Sequence, residues 1–162
     1  MTKERKPVLL YRLQSAARLG RTSLATRLLE HGLYAGQDAI MLQLADEDGL
    51  PPGILAQRLG VRPPTVTKTI ARLQSQGFVT KQASEKDQRQ SHVFLTESGR
   101  DIIKTIEKSI RKTEKDALRG LDKKERKALL KLLNRLEVNL SARGLTRPSD
   151  IADEAVDEEF VD

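Results

Sequence analysis

A cluster of hydroxyl and cationic side chains lies between residues 60 and 77, and no carboxylate interrupts it. Val66, Ile70 and Leu73 recur at i, i+4 and i+7, which predicts one apolar stripe on an amphipathic helix. Successive residues of a helix are about 100° apart, so burial of this stripe leaves other side chains pointing away from it or lying beside it. These side chains are Pro64, Thr65, Thr67, Lys68 and Arg72. Such groups can donate hydrogen bonds to phosphates and to base edges in the major groove of DNA. An ordinary helical hairpin with a solvated basic face fits these residues equally well.

The neighbouring segments favour the first interpretation. A shorter helix precedes the cluster, with Ile54, Leu55 and Leu59 at helical spacing, and Gly60 suits the left-handed position that closes it. After Gly77 the apolar period changes to two in residues 78–83 and 92–95, which predicts a β-hairpin. Its polar loop carries Lys86, Asp87 and Arg89. An arginine near the tip suits a narrow minor groove, so the order helix, turn, helix and hairpin predicts a winged helix-turn-helix.

Long amphipathic helices are predicted on both sides of this module, over residues 8–33 before it and over residues 96–121 and 122–140 after it. Their apolar stripes exceed what one small module can cover, which predicts dimerisation through Leu9, Leu13, Leu129, Leu133, Leu136 and Leu140. The predicted fold class is mainly α with a small β-hairpin wing, a winged helix-turn-helix plus a helical dimerisation domain. The expected divisions are an N-terminal arm and dimerisation helix (1–36), the DNA-binding domain (37–95), C-terminal dimerisation helices (96–144) and an acidic tail (145–162).

The charge distribution indicates a polyanionic partner. The net charge is +6, but residues 145–162 contain seven acids and one base, so residues 1–144 carry 28 bases against 16 acids. The tail fits three roles: a solvating segment, a competitor for the basic DNA-binding face, or a segment that docks on another subunit. The sequence favours the first. Because only 38% of the residues are hydrophobic and 3% are aromatic, we expect the core to be completed by a second subunit.

Other function classes find little support. Cysteine is absent, which excludes disulfides and thiolate metal sites in this chain. No window is apolar enough for a transmembrane helix or a signal peptide, so the expected location is the cytoplasm, with no membrane partner. The two histidines, His31 and His92, are interpreted as a helix-end residue and a strand residue, and Asp46, Glu47 and Asp48 as a solvated turn. We expect no enzyme activity, no cofactor and no metal.

The sequence resembles the MarR family of winged helix-turn-helix regulators. The resemblance covers roughly residues 37–99, and its most diagnostic part is the Asp-x-Arg pair at Asp87 and Arg89 followed by the Leu-Thr-x-x-Gly run that ends at Gly99. It implies a homodimer that binds a palindromic operator in double-stranded DNA, with Arg89 entering the minor groove beside Asp87. Lys68 stands where the family often has arginine, which favours a phosphate contact over bidentate guanine recognition. Pro63 and Pro64 replace the small polar residues common at the helix start.

The resemblance also implies control by a ligand. Similar proteins release DNA when a small aromatic or anionic effector binds between the dimerisation helices and the winged module. The candidate residues here are Ser23, Tyr34, Met41 and Leu44, although plain core packing is the favoured explanation for the apolar ones. The predicted function is a dimeric, ligand-responsive transcriptional repressor. A winged-helix protein-interaction module and a nonspecific architectural DNA-binding protein remain the alternatives.

Overall fold

The computed structural model describes residues 8–83 and 91–141, which form six helices and one two-stranded sheet. The elements in chain order are α1 (Leu9–Leu29), α2 (Gln37–Asp46), α3 (Pro52–Leu59), α4 (Pro63–Ser75), β1 (Val79–Ala83), β2 (Ser91–Leu95), α5 (Glu97–Ala117) and α6 (Lys123–Ser141). The predicted class, mainly helical with a small hairpin, is confirmed.

Two capping interactions predicted from sequence set the starts of the last two helices. The Thr96 hydroxyl accepts a hydrogen bond from the Gly99 amide at 3.0 Å and so caps α5. At α6, the Asp122 carboxylate accepts from the Glu125 amide while the Glu125 carboxylate accepts from the Asp122 amide, both at 2.8 Å. This reciprocal pair is a capping box with aspartate as its first member.

Left-handed glycines end two helices earlier than the apolar pattern predicts. The first helix stops at Leu29 rather than near residue 33, because Gly32 adopts φ 74° and the Leu33 amide donates back to the Leu28 carbonyl oxygen. The fifth stops at Ala117 rather than near residue 121, and Gly120 follows with φ 85°. The apolar pattern of the sequence continues past the ends of both helices because leucines in the following turns still face the protein.

The core lies where α2, α3, α4 and the hairpin meet one side of α5. Its fully buried members include Ile40, Leu44, Leu55, Ile70 and Ile106. In α3, Leu55 is fully buried as predicted and Ala56 is buried beside it, whereas Ile54 is more than one-third exposed, so the prediction was wrong for Ile54. α1 packs along α5, and Arg27 pairs with Asp116 across that contact.

The hairpin is antiparallel and in simple register, with Val79 opposite Leu95 and Ala83 opposite Ser91. Leu50 forms an isolated antiparallel bridge to Val93, so the linker between α2 and α3 pairs with β2 at one position. This bridge attaches the wing to the helix-turn-helix.

Candidate DNA-binding surface

The candidate surface is the outer face of α4. Val66, Ile70 and Leu73 are all at most 1% exposed and fix the inner face of this helix against the core. Every residue that the sequence assigned to the outer face is exposed, namely Pro64, Thr65, Thr67, Lys68 and Arg72. A helix held by one buried stripe presents this face as a rigid unit, which is what recognition in a groove requires.

Two prolines shape the start of α4. The helix begins at Pro63, and its N-cap residue, Arg62, makes no side-chain capping bond. Because Pro63 and Pro64 have no amide hydrogen, two of the orphan donors at the helix start do not exist. The backbone can therefore give a phosphate less than an ordinary helix N-terminus offers, and side chains must supply most of the contacts.

The exposed groups of α4 are available to a ligand. Within the described ranges, no carboxylate pairs with Lys68 or Arg72, and no hydrogen bond occupies the hydroxyls of Thr65 and Thr67. The hydroxyl of Thr69, in contrast, donates to the carbonyl oxygen of Thr65 in the same helix. The outer face thus combines two unpaired cations with two uncommitted hydroxyls.

One acidic residue has a structural role that the sequence did not indicate. The Asp48 carboxylate accepts from the Leu95 amide at 2.9 Å and from the Arg100 guanidinium at 2.6 Å, which ties the α2–α3 linker to the end of β2 and the start of α5. Its neighbour Glu47 pairs with Arg58 of α3 at 2.6 Å. The interpretation as a solvated turn was therefore wrong for Asp48, because β2 and α5 supply partners 47 and 52 residues away. No local pattern could have shown them.

The wing loop residues Lys86, Asp87 and Arg89 lie outside the described residues. The strands that carry this loop are described: β1 contacts α4, and β2 contacts α2, α3 and α5. Their contribution to binding stays a prediction from the sequence.

The four effector candidates occupy different environments. Met41 and Leu44 have no exposed surface, so a ligand could touch them only if the core opened. Ser23 is half-buried in α1. Tyr34 is 53% exposed and lines a surface depression of about 470 Å³ together with Arg72, Ser75 and Gln76. Of the four candidates, Tyr34 thus lines this open depression, whose other lining residues come from the end of α4.

The dimerisation candidates leave an apolar groove between α1 and α6. Leu9, Leu13, Leu129, Leu133 and Leu136 line this groove of about 410 Å³. Leu140 lies beyond it in α6 and is half-exposed. α6 has no buried residue at all, so its apolar stripe is unpaired in a single chain.

The histidines and carboxylates of the described residues form no metal-binding cluster. Between residues 8 and 83 and between 91 and 141, no three histidine, aspartate or glutamate side chains gather where they could hold a metal ion. His31 is exposed just after α1, and His92 pairs with Gln82 in the hairpin. Over the same ranges no helix is long and apolar enough to cross a membrane.

Comparison with known proteins adds the identity of the fold. A family model described as the MarR family matches residues 33–91. A crystal structure of MarR is 27% identical, with a TM-score of 0.76, and the match covers 89% of this chain and 99% of that one. A MarR transcriptional regulator from Methanosarcina mazei Go1 is 25% identical, with a TM-score of 0.73 and coverage of 82% and 96%. A mutant MarR from E. coli, complexed with operator DNA, is 21% identical and shares the fold, with a TM-score of 0.73 and coverage of 79% and 92%. Residues 33–91 therefore carry the MarR family pattern, and the chain shares the winged helix-turn-helix fold of MarR-family transcriptional regulators.

Proposed function

We propose that this regulator is a homodimer that binds a palindromic operator through α4 and represses transcription until a small ligand releases it. The observation that carries the proposal is the outer face of α4. It is rigid, exposed and free of carboxylates, and neither of its cations is paired within the described ranges. A surface made only for solubility would mix both signs of charge.

Each residue of this face has a proposed role. Pro64, Thr65 and Thr67, near the start of α4, approach base edges and the sugar-phosphate backbone, because the N-terminal part of a recognition helix enters the groove. Lys68 and Arg72 neutralise phosphates, and Arg72 alone has the fork geometry for bidentate contacts. Lys86 and Arg89 of the wing loop contact the neighbouring minor groove, with Asp87 holding Arg89. A mutant MarR that shares this fold was solved in complex with operator DNA, which supports operator DNA as the partner.

The proposal of a dimer is supported by the uncovered apolar surface. α6 has 19 residues, none of them buried, although helices in proteins draw most of their stability from packing of an apolar face. Its leucines and those of α1 form the groove of about 410 Å³, whose lining is almost wholly apolar apart from Arg12, Arg135 and Asn139. A second copy that inserts its own helix there would bury both stripes and account for the low hydrophobic fraction of the chain.

The ligand proposal narrows to the depression beside Tyr34. Tyr34 and Arg72 line the same depression, and a phenol ring beside a guanidinium is suited to bind an aromatic anion. Because Arg72 is also a proposed phosphate contact, a ligand that pairs with it would compete directly with DNA. Met41 and Leu44 would support this site from within the core, and Ser23 does not line it.

Two alternatives predict different behaviour. A protein-interaction module would not need a recognition helix without acids, and it would bind no DNA fragment. A nonspecific architectural protein would bind every fragment with similar affinity, and its binding would weaken steeply with salt.

The test of the proposed function is a binding selection on fragments of the source genome with the purified full chain at physiological salt. We expect one palindromic motif whose half-sites are about one helical turn, or 10 base pairs, apart. Uniform recovery of fragments would favour the architectural alternative, and no recovery would favour the interaction module. Transcription in vitro from a recovered promoter then shows whether binding represses.

The proposed dimer predicts that Leu136→Asp, in the α1–α6 groove, dissociates or unfolds the protein and lowers DNA affinity, because one charge per subunit would be buried in an apolar interface. The measurement is sedimentation with circular dichroism and fragment binding. Asn134→Asp, at an exposed position of the same helix, is the matched control and should stay dimeric. A folded Leu136→Asp monomer with undiminished operator binding would contradict the dimer.

A further inference from the structure

A buried glutamine lies between the helix that carries the proposed dimer contacts and the helix that carries the proposed DNA contacts. Gln37, the first residue of α2, is 1% exposed. Among the described residues the other buried polar side chain is Ser109, whose hydroxyl donates to the Thr105 carbonyl oxygen of its own helix. Burial of an amide is costly unless its donors and acceptors are matched, so the partners of Gln37 show what its burial achieves.

Those partners form a chain of hydrogen bonds through two side-chain amides. The Tyr34 amide donates to Gln37 Oε1 at 2.8 Å, and Gln37 Nε2 donates to Gln76 Oε1 at 2.6 Å. Gln76 Nε2 then donates to the Gly32 carbonyl oxygen at 2.7 Å. A main-chain amide stands at one end and a main-chain carbonyl at the other, so only one orientation of each side-chain amide satisfies all three bonds. We call this chain the Gln37–Gln76 link.

The link joins two parts of the fold that are far apart in sequence. Gly32 and Tyr34 belong to the turn that follows α1, whereas Gln76 is the C-cap residue of α4 and lies four positions after Arg72. The two bonds of Gln76 span 39 and 44 residues. α1 packs chiefly along α5, so these polar contacts fasten the end of α4 to the end of α1.

We propose that Gln37 and Gln76 are positioning residues for specific DNA recognition: the link sets the direction of α4 relative to α1 and hence the placement of two recognition helices in one dimer. This inference rests on the proposed dimer and operator. Base contacts need each helix at the correct depth and the two helices at the correct half-site spacing, whereas phosphate contacts with random DNA tolerate rotation and sliding. Loss of the link should therefore reduce specificity more than general affinity.

The informative substitution is Gln76→Met, which keeps side-chain length and charge and removes both of its hydrogen bonds. Gln76 is exposed, so the Gly32 carbonyl can be hydrated, whereas the buried Gln37 Nε2 loses its acceptor and the variant loses some stability. The apolar core is untouched by this change, so the fold should persist. Gln74→Met, two positions earlier and also exposed, is the matched control because its side chain takes no part in the link. The assay measures the affinity for the selected operator, for random DNA of equal length, and for operators with one or two base pairs inserted between the half-sites.

We expect Gln76→Met to bind its operator about tenfold more weakly, while its affinity for random DNA changes less than about twofold. The specificity ratio, which is operator affinity divided by random-DNA affinity, should therefore fall. The loss on inserting base pairs should also become smaller than in the unaltered protein, because a loosened helix adapts to altered spacing. Gln74→Met should behave as the unaltered protein does. If the link had only a structural role, the substitution would lower the melting temperature and both affinities together. The dependence of affinity on half-site spacing, here called the spacing profile, would then stay as steep as in the unaltered protein.

Three results would overturn the inference: an unchanged specificity ratio and spacing profile in Gln76→Met, equal losses on operator and random DNA, or unfolding of both Gln76→Met and the smaller change Gln76→Ala. Failure of the proposed function is recognised separately. If the unaltered protein has no preferred operator, the operator proposal fails before any variant is measured.

Discussion

Lys68 offers the sharpest test of how α4 meets DNA. Its ammonium group is exposed and, among the described residues, has no carboxylate partner, so it loses no ion pair when it binds a phosphate. Lys68→Gln removes the charge but keeps a long side chain with good helix propensity. We expect the folded protein to keep its stability and to lose the same free energy of binding on operator and on random DNA.

The magnitude follows from counterion release. Each neutralised phosphate contributes about 0.9 to the magnitude of the slope of log affinity against log salt. A dimer that loses two phosphate contacts should therefore have a slope that is smaller in magnitude by about 1.8. Between about 50 mM and about 200 mM salt, that difference reduces the ratio of unaltered to variant affinity about 12-fold. A monomer with one contact would show only about a 3.5-fold change over the same range.

The assay is a fluorescence anisotropy titration at four or more salt concentrations with operator and random duplexes. Lys104→Gln, an identical change at an exposed position of α5, controls for net charge and should leave the slope nearly unaltered. An unchanged slope in Lys68→Gln would refute the phosphate contact. A loss confined to one operator base pair would show direct base readout instead, contrary to the reasoning from side-chain geometry.

Two further predictions concern the wing and its attachment. Gly99→Ala should lower the free energy of unfolding by about 1–3 kcal/mol in chemical denaturation, because the added Cβ would lie 2.0 Å from the Phe78 carbonyl oxygen. Gly20→Ala in α1 is the control: its Cβ meets nothing within 4 Å, so it should stabilise the helix by up to about 1 kcal/mol, and equal stability of the two variants would contradict the steric argument. Arg89→Ala should weaken operator binding about tenfold while sedimentation still shows a dimer, since a wing loop takes no part in the proposed dimer contacts. Unchanged operator affinity would remove Arg89 from the proposed minor-groove contacts.

The local sequence pattern was sufficient to predict the elements that form the proposed DNA-binding surface. The inner and outer faces of α4 followed from the positions of Val66, Ile70 and Leu73, because helix geometry converts spacing directly into direction. The cap at Thr96 and the capping box at Asp122 were equally visible, since each joins residues only three apart. The change of apolar period from 3.6 to two gave the hairpin for the same reason.

Contacts between residues far apart in the sequence could not be predicted from the apolar periodicity. The sequence gives no indication that Asp48 holds β2 and α5, or that Gln37 meets Gln76, because these pairs are 39 to 52 residues apart and neither partner repeats at a structural period. It also left Tyr34, Met41 and Leu44 together as ligand candidates, although the fold exposes the first and buries the other two completely. By itself the sequence determined the elements and their chemical faces, since those depend on neighbours along one helix or strand. The tertiary structure alone decided how the faces are held relative to one another, because that depends on which distant groups satisfy each other's hydrogen bonds and fill the same core.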